Sequence, residues 1–135
     1  MSAMSQSIHL LHTIWNHPAN RQHRLRSIWR ALAWQVYKRL TGSPVDVQVR
    51  DLKLRCYPDS HSASRALYFS GLPDYWEMRF MIDYLRPGDR FIDVGANVGL
   101  YTLLAGSIVG SAGHIDAFEP GALAADRLRE TVEAN

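Results

Sequence analysis

The sequence predicts an α/β protein built on the first βαβ unit of a doubly wound parallel sheet, preceded by an N-terminal helix and a β-hairpin. Three observations predict it. Arg90 to Val94 is a near-continuous apolar run through Phe91, Ile92 and Val94, the pattern of a strand buried on both faces of a parallel sheet. The glycine-bearing stretch Gly95-Ala96-Asn97-Val98-Gly99 follows directly and leads into an apolar helical segment from about Leu100 to Val109. After a turn at Gly110 to Gly113, a second strand-like run, His114 to Phe118, precedes another helix that begins near Ala122, which is the order of a right-handed crossover unit.

The chain has 135 residues, 47% apolar and 21% charged, so it lies in the globular range and supports one modest core. Between Gln22 and Leu40, the residues Leu25, Ile28, Trp29, Leu32, Ala33, Val36, Tyr37 and Leu40 recur at steps of three and four, which predicts an amphipathic helix. Thr41-Gly42-Ser43-Pro44 supplies its stop signal. Arg24, Arg30, Lys38 and Arg39 fall mostly off the apolar stripe. Because they do not gather at one lipid-facing edge, the helix is expected to pack on the domain rather than lie on a membrane. Residues 1–43 read as a variable helical extension, and 44–135 as the domain itself. Val45, Val47 and Val49 alternate with polar residues, and Leu52, Leu54 and Cys56 resume the alternation after Arg50-Asp51, so two short strands form a tight hairpin. Pro58 to Gly71 reads as a loop with a Ser-rich start. Pro73-Asp74 opens a helix through about Leu85, and Pro87-Gly88-Asp89 ends it.

Net charge is only +2, yet residues 1–55 hold nine Lys and Arg against Asp46 and Asp51 alone. The basic residues stand singly rather than in a run, which reads as a solvated basic face and not as a nucleic-acid contact. Cys56 is the single cysteine and the six histidines are scattered, so neither an internal disulfide nor a zinc site is expected, and a reducing compartment fits. The N-terminus lacks the basic region of a secretion signal, and Arg30 interrupts the best apolar run, so a cytoplasmic protein with no transmembrane segment is the expectation.

The chemistry is expected where the first parallel strand delivers its carboxyl end into a helix, the edge at which open α/β sheets bind ligands. Gly95 and Gly99 allow a tight turn and close approach of a flat ligand, Asn97 tolerates left-handed geometry, and the helix start offers unpaired N–H groups. Glu119 lies 24 positions after Gly95, just past the second strand, where a carboxylate accepts hydrogen bonds from both hydroxyls of a ribose. The usual pyrophosphate-approach position holds Asn97, and Asp93 ends the strand. A carboxylate there repels pyrophosphate but suits an ammonium, which favours S-adenosyl-L-methionine (SAM) over a nicotinamide dinucleotide. Glu77, on the preceding helix with Tyr75 and Trp76, either reaches the methionine amine or faces solvent. Trp76, Met78 and Phe80 read as core at this spacing. Thr102 reads as packing, and His61 and His114 as structural rather than as bases.

The run LPDYWEMRFMIDYLRPGDRFIDVGANVGLYTLLAGSIVGSAGHIDAFEP closely resembles the FkbM-type family of class I SAM-dependent methyltransferases. The likeness covers about Pro44 to Asn135. It implies an incomplete Rossmann-like sheet, SAM as cofactor, and O-methylation of a hydroxyl on a small molecule or sugar. It also implies a SAM loop formed by Asp93, Gly95, Ala96, Asn97 and Gly99, with Glu119 on the ribose. The family's fold continues through further strands and helices that supply adenine contacts, the acceptor side and any catalytic base. The chain stops at Asn135, so a truncated gene or partial sequence is expected, and no catalytic residue is assigned. One edge of Arg90 to Val94 then stays unpaired, which is expected to make the chain marginal and prone to self-association. The alternative reading is an inactive fragment or small interaction module that associates through its basic helix or open edge.

Overall fold

Two helices open the chain, α1 (Ala3–Asn16) and α2 (Arg24–Leu40), joined through a 3-10 turn at Pro18–Asn20. The computed structural model describes the backbone of residues 3–135 and the side chains of these residues except 3, 4, 6, 7 and 61–63. His61, weighed above as a base, therefore has its side chain outside the described residues. The antiparallel hairpin β1 (Val45–Val49) and β2 (Leu52–Cys56) follows, with Val49 opposite Leu52. Arg50 takes a left-handed φ of 56° in its two-residue turn, the geometry that tight hairpins demand. Next come α3 (His61–Tyr68), α4 (Tyr75–Tyr84), β3 (Arg90–Val94), α5 (Leu100–Val109), β4 (His114–Phe118) and α6 (Ala122–Glu133). β3 and β4 pair in parallel, Arg90 opposite His114 through Val94 opposite Phe118. The described residues thus form a mixed α/β structure with two two-stranded sheets. No helix among the described residues is long and apolar enough to cross a membrane.

α5 lies at the centre because it is apolar on nearly every side. Leu100, Leu103, Leu104, Ala105 and Val109 are all buried, and they meet Val47, Val49, Leu54 and Cys56 of the hairpin and Met78 and Met81 of α4 in one core. Burial pushes the Cys56 thiol up to about 12 from its ordinary 9.0. A second, smaller core joins Ile14 of α1 and Ala31 and Trp34 of α2 to Tyr68 and Phe69 at the end of α3. The buried Asn20 ties these parts together. Its amide donates to the Ile14 carbonyl at 3.0 Å and to the Tyr68 carbonyl at 2.9 Å, and its oxygen accepts from the Ser70 hydroxyl at 3.1 Å. α1 and α2 therefore share a core with α3, with the indole N–H of Trp34 donating to Ser64 Oγ at 3.1 Å.

Four expectations are corrected. The Ser-rich stretch read as a loop contains α3, because Ala66, Tyr68 and Phe69 are buried against the rest of the fold and tertiary packing outweighs weak local propensity. α2 forms as expected but turns the other way: Ser27, Ala31 and Trp34 are its buried face, and Leu25, Trp29, Leu32, Val36 and Leu40 are exposed. β3 is not buried on both faces. Ile92 and Val94 are 61% and 81% exposed, because β4 is its sole strand partner among the described residues and α5 covers only the face of Phe91 and Asp93. On α4, Met78 is core, whereas Trp76 and Phe80 are exposed.

The glycine at the start of α5 is needed for packing as well as for conformation. Gly99 has φ 91°, and a Cβ added there would lie 2.8 Å from Leu128 Cδ1 of α6. Gly88 has a matching φ of 89°, and a Cβ there would meet nothing within 4 Å. Gly88→Ala is expected to cost only the left-handed backbone penalty, about 1–2 kcal/mol. Gly99→Ala adds overpacking of about 1–3 kcal/mol to that penalty. Urea denaturation of the two variants measures the difference, and equal losses would show that α6 does not press on this turn.

Candidate functional site

The turn after β3 is built from backbone that ordinary residues avoid. Gly95, Asn97 and Gly99 have φ of 82°, 51° and 91°, and the Asn97 side chain steadies its own turn by accepting from the Val98 N–H at 2.8 Å. The C-terminal end of β4 holds the turn in place. Gly95 and Ala96 donate their N–H groups to the Phe118 carbonyl at 2.8 and 3.0 Å, and Asn97 donates to Glu119 Oε2 at 2.8 Å. Glu119 Oε1 accepts from the Gly121 N–H at 2.8 Å. A carboxylate has about four acceptor positions, so Glu119 keeps two for other donors.

A cleft of about 230 Å³ opens beside this turn. Asp93, Gly95, Ala96 and Asn97 form one wall, and Arg65, Asp74 and Tyr101 lie on the other. A Cβ on Gly95 would meet no protein atom within 4 Å, so the backbone there faces open space that a ligand can approach. Asp93 is buried and accepts a 2.6 Å hydrogen bond from the Thr102 hydroxyl one turn into α5. Such a short charge-assisted bond fixes the carboxylate rotamer at the rim of the cleft.

The opposite wall was not foreseen as a site. Asp74 precedes α4 where a capping side chain is usual, yet it makes no capping bond. Its carboxylate instead accepts from Arg65 Nη2 at 2.7 Å and from the Tyr101 hydroxyl at 3.2 Å. Burial, and then the Asp74 carboxylate, push the Tyr101 phenol up to about 12 from its ordinary 10.0. Arg65, Asp74 and Tyr101 come from three separate segments. The local signal was Asp74 at a helix start, which sequence reading absorbed as a helix opener.

The structure therefore brings Asp93, Gly95, Ala96 and Asn97 together on the cleft and links Glu119 to them through the Asn97 N–H. It does not bring in Gly99, which faces α6, or Glu77, which is exposed on α4 near Trp76, Phe80 and Tyr101. His114 sits at the opposite end of β4 from Glu119 and pairs with Asp116 at 3.0 Å. Thr102 packs, as expected, and also donates to Asp93.

Thr102→Val keeps the shape of the side chain but removes the donor to a buried carboxylate, which is expected to cost about 1–3 kcal/mol. Thr102→Ser retains the hydroxyl and should lose less. Urea denaturation distinguishes them, and equal stability of wild type and the valine variant would show that the bond contributes nothing. For Tyr101, the folded chain keeps the phenol proton longer than the unfolded chain does. Its contribution to stability is thus complete below pH 10 and falls as pH rises toward 12. The difference in tyrosinate absorbance between wild type and Tyr101→Phe should show a tyrosine that ionises near 12, and a midpoint at the ordinary value would refute the buried contact with Asp74.

No protein-family model, curated protein or solved structure matches the chain.

Proposed function

We propose that the chain binds SAM at the β3–α5 turn and serves methyl transfer to a hydroxyl of a small molecule or sugar, as a member of the FkbM-type class I methyltransferases. In this reading β3, α5 and β4 are the first unit of a Rossmann-like doubly wound sheet. One observation carries it: a buried carboxylate at the end of one parallel strand, Asp93, faces the cleft, while a half-buried carboxylate at the end of the neighbouring strand, Glu119, is tied to the same turn.

The residues fit the group. Asp93, held by Thr102, would take the ammonium of the methionine moiety. Glu119 retains two acceptor positions for the ribose hydroxyls after its bonds to the turn. Gly95 leaves room for a ligand to lie against the backbone. When bound, SAM supplies an electrophilic sulfonium methyl for attack by the acceptor oxygen. What the chain contributes is binding and orientation, the main terms in such a transfer.

Asp93 also separates this reading from nicotinamide chemistry, because a carboxylate at the turn opposes a pyrophosphate. Calorimetric titration of the 135-residue chain with S-adenosylhomocysteine is the test. Binding is expected, with Asp93→Asn and Glu119→Ala each weakening it by tenfold or more, since each removes a hydrogen bond to a charged group worth about 1.5–3 kcal/mol. A folded chain that binds the dinucleotide NAD but not S-adenosylhomocysteine, or binds neither, would overturn the proposal.

A further inference from the structure

α2 presents to solvent the face that its sequence marks as apolar. Leu25, Trp29 and Leu40 are 75%, 70% and 79% exposed, and Leu32 and Val36 complete the stripe. At ~100° per residue the five side chains fall within ~80° of one another on the helix, over a length of ~23 Å. The helix cannot roll to hide them without withdrawing Trp34, which is buried in the second core and bonded to Ser64.

Charge identifies the occupant. No Asp or Glu precedes Asp46, while Arg21, Arg24, Arg26, Arg30, Lys38 and Arg39 all do. Elsewhere Arg55, Arg65, Arg79, Arg90, Arg127 and Arg129 each meet a carboxylate. Among the described residues, none of the six N-terminal cations has an ion-pair partner within 4.0 Å. On the wheel, Arg26 and Arg30 flank one side of the stripe and Arg39 the other, with Arg26 and Arg39 exposed. Long basic side chains on both flanks of an apolar stripe can reach phosphate level while the stripe enters the acyl boundary. Trp29 near the middle is a side chain suited to that boundary. A second copy would bring the same cations against the first, and a nucleic-acid backbone would leave the five apolar residues in water.

We propose that α2 docks flat on an anionic lipid surface, with Leu25, Trp29, Leu32, Val36 and Leu40 entering the headgroup–acyl boundary and Arg26, Arg30 and Arg39 pairing with lipid phosphates or carboxylates. This inference stands apart from the SAM reading and uses none of its residues.

The test is cosedimentation of the full chain with phosphatidylcholine vesicles, with and without phosphatidylserine. Binding is expected only with phosphatidylserine and is expected to weaken as salt is raised. Arg26→Gln with Arg39→Gln should lower the partition coefficient about fivefold for each cation removed. Trp29→Ser with Leu32→Ser should lower it at least tenfold. All four residues are exposed, so each variant should melt like wild type. Equal binding to neutral vesicles, or binding unchanged by the Trp29 and Leu32 substitutions, would overturn the proposal. So would a chain that ignores vesicles but self-associates through Trp29 and Leu32 in sedimentation equilibrium, which would make a second copy the occupant.

Discussion

Three successive N–H groups after β3, those of Gly95, Ala96 and Asn97, all end on the last residues of the β4 segment, two on the Phe118 carbonyl and one on the Glu119 carboxylate. This junction is the constraint on which the rest of the site depends. It requires β3 and β4 to be parallel and in a register that puts Val94 beside Phe118. It also requires left-handed backbone at Gly95 and Asn97 so that consecutive N–H groups converge. A slip of one residue would move Glu119 away from the turn and transfer every side chain of β4 to the opposite face. The turn and the placement of the Glu119 carboxylate are therefore set by one structural choice, and neither can be changed without the other.

The same junction fixes where α5 starts, and α5 in turn organises the larger core. Gly99 begins the helix at φ 91°, close enough to Leu128 that a Cβ there would force the leucine methyl to shift. Thr102 then sits one turn along, where its hydroxyl reaches Asp93. Thus a residue whose first effect is packing also sets the orientation of a carboxylate that faces the cleft. Packing and chemistry are coupled through the first turn of one helix.

The sequence was most informative where backbone chemistry is local. Gly99 and Gly110 bracket α5, Arg50-Asp51 separates the hairpin strands, and alternation or short apolar runs mark all four strands, so these elements lie where the residues say they do. It was least informative about direction. Periodicity found the apolar side of α2 but carries no information on whether that side faces inward; the buried side is Ser27, Ala31 and Trp34, two small residues and an indole with a hydrogen-bond partner. α3 was hidden because serine favours turns in isolation, whereas here Ser64 donates back to the Ser60 carbonyl and a buried Tyr68 and Phe69 hold the helix end. The loop side of the cleft was legible from spacing. The Arg65–Asp74–Tyr101 side was not, because it joins residues 36 positions apart in sequence through contacts that no local pattern encodes.

Charge is partitioned along with these elements. From β1 onward, six of the eight arginines meet a carboxylate, among them Arg55 with Asp46 across the hairpin, Arg65 with Asp74 at the cleft, Arg90 with Asp116 across the parallel pair, and Arg127 with Asp59. Exposed pairs of this kind add little stability, but they reduce the field that each arginine projects. Before β1 no carboxylate is present to do the same. Among the described residues, the unpaired basic charge of the N-terminal part is thus concentrated on α2 and on Arg21 just before it, while the cleft carries Asp93 and Asp74 against a single arginine. In the two proposed readings the basic, apolar face of α2 would meet an anionic surface and the acidic side of the cleft a cationic ligand, and because the two charges are opposite in sign each would weaken the other's attraction wherever they lie within about a Debye length.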